Sequence, residues 1–272
     1  MKFIFPLLVI FLCAVQTPFA QIKDIQSTKG SVEQTYELAI ADAEKIDRLM
    51  PVMPGVGSHS RSLLDEKSVK PYLMPARNVG SVGQLWAYNL ASLLEFYVNY
   101  DNNFKDNLSP DFISLSSVEN SLENGLKFLA DNGTVSAAIM PYESTTISPV
   151  IHGAKKFKIR QYLKIFNTHH NKNEKIFETR KALMRGHPIL IKIGVNQKFM
   201  DAKNIKYWHN VIKNPDIEVS MLVVGYNHDL EAFELMCNWG SDWAENGFIF
   251  MDYADFGKLA TEGIVIVPDR DF

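Results

Sequence analysis

The final third of the chain constrains the fold most. Five short apolar runs, at residues 189–193, 220–224, 232–236, 247–250 and 263–267, are rich in β-branched and aromatic residues and are separated by turns such as Asn227-His228-Asp229. Such runs read as strands. The earlier part reads as helices instead. Over residues 31–50, Val32, Tyr36, Ala39, Ala43, Ile46 and Met50 recur at helical spacing, which predicts an amphipathic helix. Residues 85–100 carry Leu, Trp, Tyr or Phe on nearly every turn and are expected to form a helix buried on most faces. Further helices are expected at residues 116–132, closed by Asn132-Gly133, and 174–185, closed by Gly186-His187-Pro188. Helices first and strands afterwards imply an α+β fold with a helical lobe, about 80–150, and a sheet lobe, about 151–268. A cleft between two such lobes is the usual place for a ligand.

The N-terminus has a different character. Lys2, the apolar run 3–15 and the small-residue exit Thr17-Pro18-Phe19-Ala20 read as a secretory signal peptide over residues 1–20, so a secreted or periplasmic location is expected. Residues 21–60 form an N-terminal helical extension, broken by the Pro and Gly cluster Pro51-Val52-Met53-Pro54-Gly55, and residues 61–272 form the main domain. With 46% apolar and 22% charged residues and a net charge of −3, the balance is that of a globular protein. It favours neither nucleic acid nor an anionic membrane surface, leaving a protein, peptide or small-molecule partner. Cys13 lies within the signal segment, so Cys237 is left as the single cysteine and no internal disulfide is expected. His169-His170 would point to opposite faces of a strand among polar neighbours, so no metal site and no cofactor are expected.

Two motif blocks carry a resemblance. Arg77-Asn78-Val79-Gly80-Ser81-Val82-Gly83-Gln84-Leu85-Trp86-Ala87-Tyr88 resembles the papain-like cysteine peptidase segment N-Q-G-x-C-G-S-C-W-A-F. Val219-Ser220-Met221-Leu222-Val223-Val224-Gly225-Tyr226, followed by Cys237-Asn238-Trp239-Gly240-Ser241-Asp242-Trp243-Ala244-Glu245-Asn246-Gly247-Phe248, is similar to H-A-x-x-V-V-G-Y and N-S-W-G-x-x-W-G-E-x-G-Y. Leu108-Ser109-Pro110-Asp111 and Met140-Pro141-Tyr142 resemble the L-S-x-Q and Y-P-Y stretches between them. The resemblance implies a papain-like two-lobed fold with a long central helix. In that frame the segment 21–60 resembles a shortened propeptide.

The same resemblance implies that the chemistry is gone. Thiol-protease chemistry needs a thiolate at a helix N-terminus, a histidine, an amide to orient it and an oxyanion-hole donor. The matching positions hold Leu85, Val219, Cys237 and Val79. Asn238 and Gln84 each lie one residue from a needed position, and a one-residue step along a strand turns a side chain to the other face. The expectation is a pseudopeptidase whose cleft, lined by Val79, Gln84, Leu85, Trp86, Val219 and Trp239, holds a protein or extended peptide. Three alternatives stay open: a relocated nucleophile at Cys237 with His228 or His209 as base, a purely structural or inter-subunit module, and a decoy of an active relative.

Overall fold

The computed structural model describes residues 48–270 and, upstream, residues 36–37. The signal segment 1–20 and most of the 21–60 extension lie outside the described residues. Among the described residues nine strands form one sheet, eight of them in the order β1-β3-β9-β4-β6-β7-β8-β5. They are β1 (Tyr36–Glu37), β2 (Glu66–Ser68), β3 (Ile159–Phe166), β4 (Ile189–Val195), β5 (Tyr207–Trp208), β6 (Ile217–Asn227), β7 (Ala232–Met236), β8 (Phe248–Asp252) and β9 (Ala260–Pro268), with β2 pairing off the main path to β6. The pairings β1–β3 and β5–β8 are parallel and the rest antiparallel. The helices are α1 (Leu85–Asn102), α2 (Pro110–Ser116), α3 (Leu122–Asp131), α4 (Lys172–Met184), α5 (Gln197–Met200) and α6 (Tyr253–Leu259). No described helix is long and apolar enough to cross a membrane.

Strand alternation divides the interior in two. Leu190, Leu222, Val224, Met236, Ile264 and Ile266 pack with α1 and α3, whereas Ile191, Met221, Val223, Leu235, Cys237 and Val265 pack with Leu183, Phe199 and Phe256 on the opposite face. Period-two patterning requires this when both faces of a sheet are covered. Helix α1 is buried from Ala87 to Asn99 and crosses the first face, which puts its N-terminus beside the ends of the strands that follow.

Three expectations need correction. The helix expected over residues 31–50 is a strand where the structure describes Tyr36–Glu37, pairing with Leu163–Lys164 of β3; Arg48 and Leu49 are helical. An open strand edge offers backbone partners that override a helical pattern. The helix expected at residues 116–132 begins only at Leu122, because a preceding helix, α2, ends at Ser116 and residues 117–121 are not helical. Ser117 is extended and ends α2 with its hydroxyl on the Ile113 carbonyl, and the Ser121 hydroxyl accepts from the Asn124 N–H to start α3. Serine hydroxyls compete with the helical ladder in this way. Strand β3 was missed because Arg160, Gln161 and Lys164 interrupt its alternation and two register shifts accompany its pairing with β9.

Residues 50–58, placed in the extension by sequence, run as a strap across the domain. Met50, Met53 and Val56 are buried, and the Met53 and Ser58 N–H groups donate to the carbonyls of Arg185 and Met184.

Candidate functional site

Helix α1 begins at Leu85, and the backbone of Gln84 stands as its N-cap without a side-chain cap bond. The Gln84 carbonyl accepts from the N–H groups of Ala87 and Tyr88. A helix N-terminus concentrates unpaired N–H groups and partial positive charge, which would favour an anion such as a thiolate. Leu85 places a half-buried aliphatic side chain there instead.

Leu85, Val219 and Trp239 pack, each half-buried, on the same apolar cluster. Val219 lies on β6 opposite Ile193 of β4. Trp239 meets Trp243 edge-on at 5.0 Å and Phe199 at 6.5 Å. Val79 joins them through the backbone, its N–H donating to the Asn238 carbonyl at 2.9 Å, while Asn78 bridges to Trp239. Trp86 turns elsewhere: its indole N–H donates to Asn120 Oδ1 at 2.9 Å and its ring lies over Gly125, where an added Cβ would come within 2.2 Å. Its face therefore belongs with the helical lobe's core, a different cluster from the one on which Leu85, Val219 and Trp239 pack.

Cys237 is fully buried, and its thiol points to the Ser220 carbonyl at 3.9 Å. Burial pushes the thiol well above the usual cysteine range. The histidines considered as bases have other company: His228 stacks on Tyr253 and His209 on Tyr207. Among the described residues no group of three or more His, Cys, Asp or Glu is placed to hold a metal ion.

Next to these residues in sequence, Arg77, Asn89, Ser92, Glu95 and Asn238 form a polar network that sequence reasoning missed. The Arg77 guanidinium pairs with both Glu95 oxygens, at 2.8 and 3.1 Å, and donates to Tyr142 Oη, Ser92 Oγ and the Leu108 carbonyl. The Leu108 N–H returns a bond to Glu95 at 2.6 Å. Asn238 accepts from the Arg77 N–H and donates to Asn89 Oδ1 and Ser92 Oγ, and Asn89 donates to the carbonyl and hydroxyl of Ser220. Of the network's buried side-chain atoms, only Arg77 Nε lacks a hydrogen bond among the described residues. Burial raises the Glu95 carboxyl to about 7 against the pull of Arg77, whereas Arg77 itself is lowered by burial but raised overall by Glu95. The signal was present in sequence: Asn89, Ser92, Glu95 and Asn99 form a polar stripe at helical spacing along an otherwise apolar helix.

A profile described as the papain family cysteine protease matches residues 64–265. Among curated proteins, "Gamete and mating-type specific protein A" of Dictyostelium discoideum is 23% identical over 65% of this chain and 40% of its own length. "Peptidase 1" of Psoroptes ovis is 20% identical over 65% of this chain and 56% of its own. The chain thus spans about half the length of the curated relatives it matches. Among solved structures, xylellain, a cysteine protease from Xylella fastidiosa, superposes with a TM-score of 0.63 at 19% identity, over 87% of this chain and 96% of that one. The bromelain protease of Ananas comosus superposes with a TM-score of 0.60 at 16% identity, over 75% of this chain and 99% of that one. These likenesses bear out the papain-like α+β fold, and with the profile covering most of its length the chain belongs to the papain family of cysteine proteases.

Proposed function

We propose that the chain is an exported papain-fold protein that has lost peptidase chemistry and works by binding a protein or an extended peptide at the shelf formed by Leu85, Val219, Trp239 and Val79. The observation that carries this reading is Leu85 at the first position of α1, where the resemblance places the nucleophile. A hydrocarbon there has no lone pair to attack with and no proton to give up, whatever the helix N-terminus offers. Val219, at the position of the histidine, supplies no base. The burial of Cys237 speaks against a relocated nucleophile, since a thiol must ionise and reach substrate to react. Half-buried aliphatic and aromatic side chains around a helix start suit a peptide's apolar groups, with backbone groups fixing its direction.

The test is incubation of the purified protein with peptide substrates and a thiol-reactive peptide probe. The expected result is no turnover and no labelling of the folded chain. Turnover that the probe abolishes, and that Cys237→Ser also removes, would overturn the proposal.

A further inference from the structure

His187 is buried between the central helix and the strap. Its Nε2 lies 2.6 Å from the Pro51 carbonyl and its Nδ1 lies 2.9 Å from the Tyr97 hydroxyl. A carbonyl only accepts, so Nε2 carries the proton, Nδ1 presents its lone pair, and Tyr97 donates to it. The neutral imidazole thus bonds at both nitrogens, joining α1 to the strap through the loop after α4.

Protonation at Nδ1 disrupts this arrangement. The new N–H would face the Tyr97 hydroxyl, which would have to turn its lone pair inward and leave its own buried proton without an acceptor. The charge would also be enclosed. The charged groups that bear on the ring are Arg185, on the loop after α4, and Arg270, near the C-terminus and paired with Asp101 of α1 at 3.1 Å; both cations repel an imidazolium. The strap side contributes only the uncharged Pro51 carbonyl. Burial, with these two arginines, holds the ring's pKa down to about 4.

Open space lies beside the strap. A cavity of about 370 Å³ lies along it, lined by Pro51, Val52, Ser58, His59, Met184 and Arg185 among others. Pro51 itself is exposed. Both ends of the strap have further anchors: Met50 and Met53 are buried and the Met50 carbonyl accepts from Arg185 at 2.8 Å, while Val56 is buried and Gly57 sits so close to the Arg185 carbonyl that an added Cβ would come within 2.3 Å.

We propose that His187 is an acid-sensitive latch, and that its protonation releases the Met50, Pro51, Val52 and Met53 end of the strap from the domain. Between the released ring's ordinary value of 6.5 and the latched value of about 4, the released state binds the proton and the latched state does not. Acid therefore favours release across that window, and the latch is intact above it. Those two values make the released fraction rise roughly 20-fold between pH 7 and pH 5.

Hydrogen exchange of the full chain, normalised to intrinsic rates, reads this directly. Protection of the Met53 N–H, which bonds to the Arg185 carbonyl, is expected to fall roughly 20-fold from pH 7 to pH 5 in the wild type, by that same linkage, and to stay flat in His187→Gln. Equal loss in both proteins, or none in the wild type, overturns the latch. Should His187→Gln fail to fold, NMR titration of the wild-type ring decides: a midpoint well below 6.5 accompanied by shifts in strap amides supports the latch, and a midpoint at 6.5 with the strap unmoved overturns it.

Discussion

The apolar residues Leu85, Val219 and Val79 lie within a few residues in sequence of members of the polar network of Arg77 and Glu95, yet the two are built from opposite chemistry. Leu85, Val219 and Val79 present hydrocarbon where the resemblance expects a thiol, an imidazole and an amide, whereas Arg77, Glu95, Ser92, Asn238 and Asn89 form a buried polar network only slightly short of complete pairing. A reacting residue can be exchanged for an aliphatic one with little effect on folding if it is partly exposed. A buried charged group cannot be exchanged singly, because its partner is left uncompensated. The scaffold can therefore persist whatever side chains stand at the reacting positions.

The largest effect should come from breaking the network. Glu95→Ala leaves the Arg77 guanidinium without its carboxylate and the Leu108 N–H without its acceptor, and is expected to cost about 3–5 kcal/mol in urea denaturation. Glu95→Gln retains one carbonyl acceptor and should cost less. A loss below about 1 kcal/mol for Glu95→Ala would mean that water replaces the carboxylate and that the network is not the scaffold.

This contrast also marks what was legible in sequence. Apolar runs declared β4, β6, β7 and β9 because strands buried on both faces need continuous hydrocarbon, and the Trp239, Gly240 and Trp243 motif supplied the fold. The positions of Leu85 and Val219 could be counted from fixed motif residues. The network was legible only in part, through the polar stripe of Asn89, Ser92 and Glu95 on α1. Its members are scattered between Arg77 and Asn238, and their pairing depends on the course of the chain between α1 and the β7–β8 loop. Strand β1 escaped for a related reason, its partner Leu163 lying far along the chain. Local periodicity says nothing about a distant edge.

Gly125→Ala should have an intermediate effect. The new methyl would meet the Trp86 ring at 2.2 Å, and displacing that ring also strains its bond to Asn120. Overpacking of this kind costs about 1–3 kcal/mol. The expected readout is a lowered urea midpoint together with a shifted Trp fluorescence maximum. An unchanged midpoint would place Trp86 on a yielding surface and return it to the shelf.

The smallest effect on stability belongs to Leu85 itself, and it sharpens the comparison most. Because the side chain is only half-buried, Leu85→Ala should cost about 1 kcal/mol or less. Leu85→Cys should fold as well, and there the helix start acts on a group that can respond: unpaired N–H groups lower a thiol's pKa, whereas burial raises that of Cys237. At neutral pH a thiol reagent should then label the folded variant at one site per chain and leave the folded wild type nearly unlabelled. Hydrolysis of peptides should still be absent, since Val219 offers no base to return a proton to the leaving amine. Labelling without hydrolysis would show that the helix end remains competent to activate a thiol and that catalysis was lost at the side chains. An unreactive thiol in the folded Leu85→Cys variant would mean that the site itself is closed, which favours a packed structural module over a binding shelf.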